Sequence, residues 1–128
     1  MNKDEAVKLI LDTHEGFRSY WQEHLDFWED EEPGITNDFS PYIQYVLELL
    51  RKENKSETLK ACGLVEKFII EGDQDVQYGA TLGFLEGITN HLISNEKQAV
   101  QFCKMLQPKS REFCKELDSF WGTQTPGL

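Results

Sequence analysis

The chain has 128 residues and a mass of 14.9 kDa, one domain's worth of protein. It carries 23 acidic and 13 basic side chains, a net charge of -10, with 39% apolar and 12% aromatic residues. Enough Phe, Trp, Tyr, Leu and Ile is present to fill a core, so wholesale disorder is excluded, and the charge argues against a phosphate backbone as partner. No apolar run approaches the ~18 residues that span a bilayer. The start, Met-Asn-Lys-Asp-Glu, lacks the basic-then-apolar order of a signal peptide. A soluble, cytoplasmic protein without membrane or nucleic-acid contact is expected.

The chain reads as helix throughout, with no period-two runs and no Asn-Gly or Asp-Gly hairpin turn. Asn2 followed by Glu5 starts the first helix. Val7, Ile10, Leu11 and His14 mark one face of it, and Phe17, Trp21, Leu25 and Trp28 continue at helical spacing to about residue 30. The spacing leaves open whether one helix kinks at Gly16 or two meet there. Glu31-Glu32-Pro33-Gly34 ends the element. Ser40-Pro41 restarts it, a cap residue followed by proline at the first helical position. Ile43, Val46, Leu47 and Leu50 form the buried face of that helix, with Tyr42, Tyr45 and Leu49 beside it.

Asn54-Lys55 closes this helix and Ser56 caps the next, which runs through Leu59, Leu64, Val65, Phe68 and Ile69 to Gly72, a residue suited to the left-handed C-terminal position. Asp73 caps another helix to about His91 or Leu92. Gly79, Gly83 and Gly87 recur there every four residues. Each costs about 1 kcal/mol relative to Ala, so a neighbour must approach this stripe closely, either as core packing or as a docking groove. Ser94 caps a helix through Ala99, Phe102, Cys103 and Leu106. Pro108 or Ser110 opens the last, with Phe113, Leu117, Phe120 and Trp121 apolar, and Gly122 ends it. Residues 1–122 therefore read as one all-α domain, a bundle or short stack of helical hairpins with about six or seven helices, and Thr123–Leu128 as a loose tail.

Cys62, Cys103 and Cys114 are an odd, small set that reads as free thiols rather than a disulfide framework. They serve either as small apolar residues or as a redox or metal pair. No Cys-x-x-Cys or His-Glu-x-x-His occurs; His14, Glu15, Glu23, His24 and His91 are the candidate metal ligands, but His14 and His24 are ten residues apart, far apart along the axis of a continuous helix. No nucleophile elbow or phosphate-binding loop is present either, so no catalytic residue, metal or cofactor is assigned.

The charge is uneven. Residues 19–50 contain eight acids and no Lys or Arg, and thus hold -8 of the total -10. The acids are Glu23, Asp26, Glu29, Asp30, Glu31, Glu32, Asp38 and Glu48. The same window holds seven of the fifteen aromatics: Tyr20, Trp21, Phe27, Trp28, Phe39, Tyr42 and Tyr45. More aromatics than one helix face can bury, beside unbalanced acids, point to a contact surface. Aromatic anchors would supply burial, and the acidic field would steer a basic partner. Glu29 to Glu32 also sit at a helix end where the macrodipole prefers cations. The expected partner-binding set is Glu23, Asp26, Phe27, Trp28, Glu29, Asp30, Glu31, Glu32, Asp38, Tyr42 and Tyr45, the aromatics serving wherever they are not core.

From Gly72-Asp73-Gln74-Asp75-Val76 through Gly83-Phe84-Leu85-Glu86-Gly87-Ile88 the chain resembles small, acidic, mostly helical bacterial proteins of the immunity type. In these a Gly-Asp-x-x-Val helix start precedes a Phe-Leu-Glu pattern. The resemblance covers residues 40 to 92. It implies neutralisation, by direct binding, of a polymorphic or contact-dependent growth-inhibition toxin. The expectation is a 1:1 complex with a toxin domain, such as a nuclease, that presents a basic face. Two other classes compete: a nucleic-acid-mimicking inhibitor of a host or phage enzyme, and a small-molecule-binding helical domain built on the glycine-lined helix and the histidines.

Overall fold

Local sequence accounts for most helix ends. In a computed structural model, which describes residues 1–29, 31 and 34–128 without the side chains of Ile35 and Thr36, α1 spans Lys3–Thr13. It opens on a reciprocal capping box between Asn2 and Glu5. The backbone turns extended at His14 (φ -123°, ψ 99°), and a 3₁₀ turn, Glu15–Phe17, leads into α2, Arg18–Trp28. Two helices therefore meet at Gly16. A Cβ there would stand 3.3 Å from the Tyr45 ring, so the small residue lets the junction lie against α4.

After the one-turn α3 (Ile35–Asp38), α4 runs Ser40–Arg51 and α5 runs Lys55–Glu71. Helix α6 (Gln74–Tyr78) continues without a break into a π-helical segment, Gly79–Leu85, and then α7 (Glu86–Leu92). Helix α8 spans Glu96–Met105 and α9 spans Pro108–Trp121. Counting the rod from Gln74 to Leu92 once and setting aside one-turn α3, the described residues form seven helices and no strand. The expected all-α class holds.

Helix α4 is the centre. Tyr42, Ile43, Tyr45, Val46, Leu49 and Leu50 are all buried, covering more than one face, as expected of a helix enclosed on several sides. It packs against α2, α5, α7 and α8. Phe68, Phe84, Leu85, Ile88, Leu92 and Phe102 complete the core.

Several boundaries differ from expectation. Asn54, not Ser56, caps α5, and Asn95, not Ser94, caps α8; each Asn accepts from the backbone N–H three residues on. Ser40 lies inside α4, because α3 directly precedes it, and makes no capping bond. Gly72 is extended (φ -71°, ψ 153°), not left-handed. Its smallness matters instead, since a Cβ would fall 2.4 Å from the Phe68 carbonyl and 2.5 Å from Val76 Cγ1. Pro33 lies outside the described residues.

The glycine stripe is packed where its neighbour is described. A Cβ on Gly87 would lie 2.5 Å from Ile43 Cδ1, and Gly79 and Gly83 are buried in the π segment on which α3 rests. The tail makes specific contacts with α9 and the core. Asp118 accepts from Thr125 N at 2.7 Å, Arg111 donates to the Gly127 carbonyl at 3.3 Å, and Leu128 packs against the core. No helix of the described residues is long and apolar enough to cross a membrane.

Candidate functional site

Helix α2 is the unusual element: it contributes no buried residue. Its two sides follow from helical spacing. Trp21, His24 and Trp28 lie at i, i+3 and i+7, half-buried against the body, with the Trp21 and His24 rings stacked at 5.1 Å. Glu23, Asp26 and Phe27 lie on the other side and are exposed. Phe27 is 81% exposed, the most of any large apolar side chain described. Its ring meets Trp28 edge-on at 5.7 Å, which holds it beside the half-buried indole. Leu25, expected in the buried stripe, is 46% exposed and extends the apolar part of this surface.

The helix is held by a buried carboxylate. Asp38 on α3 accepts from His24 Nε2 at 2.9 Å, and its other oxygen faces Lys3 Nζ of α1 at 3.1 Å. Three helices converge on this carboxylate, and a buried charge is tolerable because it is paired. Asp38, expected as a surface contact, is instead a fixing point. It is 6% exposed and cannot meet a partner.

Tyr42 and Tyr45 are removed from the contact surface by the same test. Tyr42 is fully buried and Tyr45 nearly so. Tyr45 stacks edge-on with Phe17 and Tyr20, and Tyr42 packs on Phe84 at 5.1 Å. Tyr42 sits at the closed end of a polar chain. His14 Nε2 is 3.0 Å from the Tyr42 hydroxyl, and His14 Nδ1 is 2.7 Å from Glu57 Oε2. Burial holds the Tyr42 phenol well above its usual value and pulls the His14 imidazole down, the Glu57 hydrogen bond opposing it. The network is sealed from solvent at His14 and Tyr42 and reaches the surface at half-buried Glu57.

The acids divide into distinct groups. Glu48 is neutralised by Arg51 and Lys52, and Arg51's hydrogen bond draws its carboxyl down to about 2. Glu23, Asp26, Glu29 and Glu31 are exposed and form no ion pair among the described residues. Asp26 accepts from Gln22 at 3.0 Å. Asp30 and Glu32 lie outside the described residues. Glu29, the C-cap of α2, has φ 43° and ψ -108°, a left-handed backbone that disfavours any side chain with a Cβ. An acid thus occupies a strained position at the negative end of a helix, doubly disfavoured locally.

Elsewhere, Cys62, Cys103 and Cys114 are all buried, and burial pushes their thiols up to about 12, 11 and 12. They behave as small apolar core residues. Among the described residues no three His, Cys, Asp or Glu side chains converge to hold a metal. Of the expected set, the structure therefore gathers Glu23, Asp26, Phe27, Trp28, Glu29 and Glu31 on one accessible helix and its end. Sequence reasoning missed Lys3 and His24, which fix that helix. His24 carried a usable signal, since it shares a face with Trp21 and Trp28.

Residues 7–122 match one family model, described as "Domain of unknown function (DUF7674)". No curated protein and no solved structure matches the chain.

Proposed function

We propose that this chain, which belongs to the DUF7674 family, is a protein-binding inhibitor of the immunity type. It neutralises a toxin domain by docking the outer face of α2 on that domain's basic surface. The observation that carries this reading is Phe27. A phenyl ring 81% exposed on a helix with no buried residue of its own has no role in the fold. Its burial by a partner would recover about 2 kcal/mol, the contribution of a central anchor. Around it, Glu23, Asp26, Glu29 and Glu31 lack cation partners among the described residues and would supply long-range attraction.

Rigidity of the face favours the same reading. The Asp38–His24 and Asp38–Lys3 contacts hold α2 before the partner arrives, which lowers the entropy lost on docking. The acid at the strained Glu29 position makes sense if its charge is used in binding, because the fold itself would prefer glycine there.

Co-expression with the product of the neighbouring gene tests the proposal. Growth rescue together with 1:1 co-purification is the expected result, and Phe27→Ala should weaken both while remaining folded. A neighbour that is neither toxic nor retained by the protein would contradict the immunity reading.

A further inference from the structure

A second feature lies outside α2 and shares no residue with it. One face of α7, one face of α9 and the turn after Gly122 line an open cleft of about 320 Å³. Ile93 and Leu117 give it apolar walls, and Trp121, 63% exposed, forms its aromatic side. The indole is steadied by an edge-on contact with Phe120 at 5.1 Å. Glu86, Asn90 and Ile93, the C-cap of α7, recur at i, i+4 and i+7, so all three project to one side.

The charge in this cavity is of one sign. Glu86 and Asp118 line it, and no Lys or Arg does among the described residues. Asp118 is committed to the rim. Its carboxylate accepts from Thr125 N at 2.7 Å, Thr125 Oγ1 at 2.8 Å and Thr123 Oγ1 at 2.9 Å. Glu86 is half-buried and its side chain has no hydrogen-bond or ion-pair partner among the described residues. A partly desolvated carboxylate without a partner is costly to the fold alone. It also stands at the end of the π-helical segment, a kind of local irregularity that recurs at binding sites.

An anion would meet two carboxylates here, and a neutral apolar ligand would strip Glu86 of water without compensation. A metal ion lacks a third ligand. A cation on an apolar stem suits the lining of the cleft: Glu86 and Asp118 attract the head, Ile93 and Leu117 take the stem, and the Trp121 indole is an aromatic partner for the charge. The volume is at the low end for small-ligand sites, which limits the occupant to a single short chain. We propose that this cleft binds a small organic cation, an amine or guanidinium on a short apolar stem.

The test uses the full chain, labelled so that its tryptophan indole N–H resonances are visible, titrated with agmatine. The Trp121 signal is assigned by its absence in Trp121→Phe. The expected result is a saturable shift of that signal with agmatine and none with neutral pentanamide. Glu86→Gln should weaken binding by about tenfold or more at an unchanged melting temperature. Asn90→Lys, which places a resident cation at an exposed position in the cleft, should abolish it. Asp26→Asn on α2 should leave it unchanged, separating this site from general attraction to the acidic face. Acetyl-arginine methylamide distinguishes the source: agmatine binding alone assigns a free small cation, and binding of both assigns a basic side chain presented by a protein. Absence of a saturable shift up to about 10 mM agmatine, well above millimolar affinity, would overturn the proposal. So would equal affinity in folded Glu86→Gln or folded Asn90→Lys.

Discussion

His14 Nδ1 lies 2.7 Å from Glu57 Oε2, joining the end of α1 to the start of α5 across 43 positions of sequence. With His14 Nε2 3.0 Å from the Tyr42 hydroxyl, one protonation pattern satisfies the chain. Neutral His14 donates from Nδ1 to the Glu57 carboxylate, and Tyr42 donates its O–H to Nε2. Burial favours this neutral form and pulls the His14 value below 6.5. The unfolded chain then binds a proton that the folded one refuses. This contribution to stability is complete above pH 6.5 and is lost as pH falls toward the folded value, by at most ~1.4 kcal/mol per pH unit. Glu57 acts in the same direction at lower pH. Its burial, which would raise it, is outweighed by the His14 and Lys60 hydrogen bonds, and its value falls below 4.5. Denaturant unfolding at about pH 7.5 and 5.5 should show lower stability at the acid end, and His14→Gln should flatten that difference. A wild-type profile already flat would contradict the neutral-imidazole assignment. Tyr42→Phe leaves a buried Nε2 without its donor and should cost about 1–2 kcal/mol.

Glu66 caps a helix from a distance. From α5 its carboxylate accepts from Lys109 N at 2.8 Å and from both Ser110 N and Ser110 Oγ at 2.9 Å, at the first turn of α9. The acid therefore meets the positive end of the helix dipole in a buried setting. Glu66→Ala should destabilise the protein by about 2–3 kcal/mol, nearly independent of salt because the site is screened by protein. A loss that vanished at high salt would show that the carboxylate is solvated.

Replacing Gly72 by Ala should destabilise the fold by about 2 kcal/mol or more even though its φ of -71° suits any residue. The added Cβ would collide with the Phe68 carbonyl, which is backbone and cannot rotate away. Equal melting temperatures for the two proteins would refute the steric reason given for this glycine.

Glu29→Gly tests stability against function at one position. Glycine relieves φ 43° and removes a charge from the negative end of α2, so the variant should gain about 1 kcal/mol in denaturant unfolding. The same variant should associate more slowly with a basic partner. A destabilised Glu29→Gly would mean that the side chain supports the helix end.

The three thiols should resist alkylation in the native protein, since each is buried and protonated at neutral pH. Labelling with iodoacetamide should proceed only at the rate of unfolding. Rapid native labelling at Cys103 would place it at a surface.

Sequence alone revealed those features that depend on near neighbours. The Asn2–Glu5 box, the Asp73 cap and the end of α9 at Gly122 need only a few adjacent residues, and the structure reproduces each. The helix count followed from the same signals. What sequence could not supply was the sorting of aromatics in the acidic window. Tyr42, Tyr45 and Phe27 share residue class and charge environment, yet the first two are core and the third is exposed. That difference arises because α4 is enclosed by four other helices while α2 covers only one side of it, a tertiary fact with no local trace. Glu66 capping Ser110 from 44 positions away, and Asp38 buried under Lys3 and His24, were hidden for the same reason.

The most direct measurement of the central claim is stopped-flow association of the protein with its co-purified partner at low and high salt, repeated with Phe27→Ala. The acidic face of α2 predicts an association rate that falls at least tenfold between about 0.05 and 0.5 M salt. It also predicts a dissociation rate raised about tenfold or more by the loss of Phe27. A salt-independent association rate together with unchanged dissociation of Phe27→Ala would contradict it.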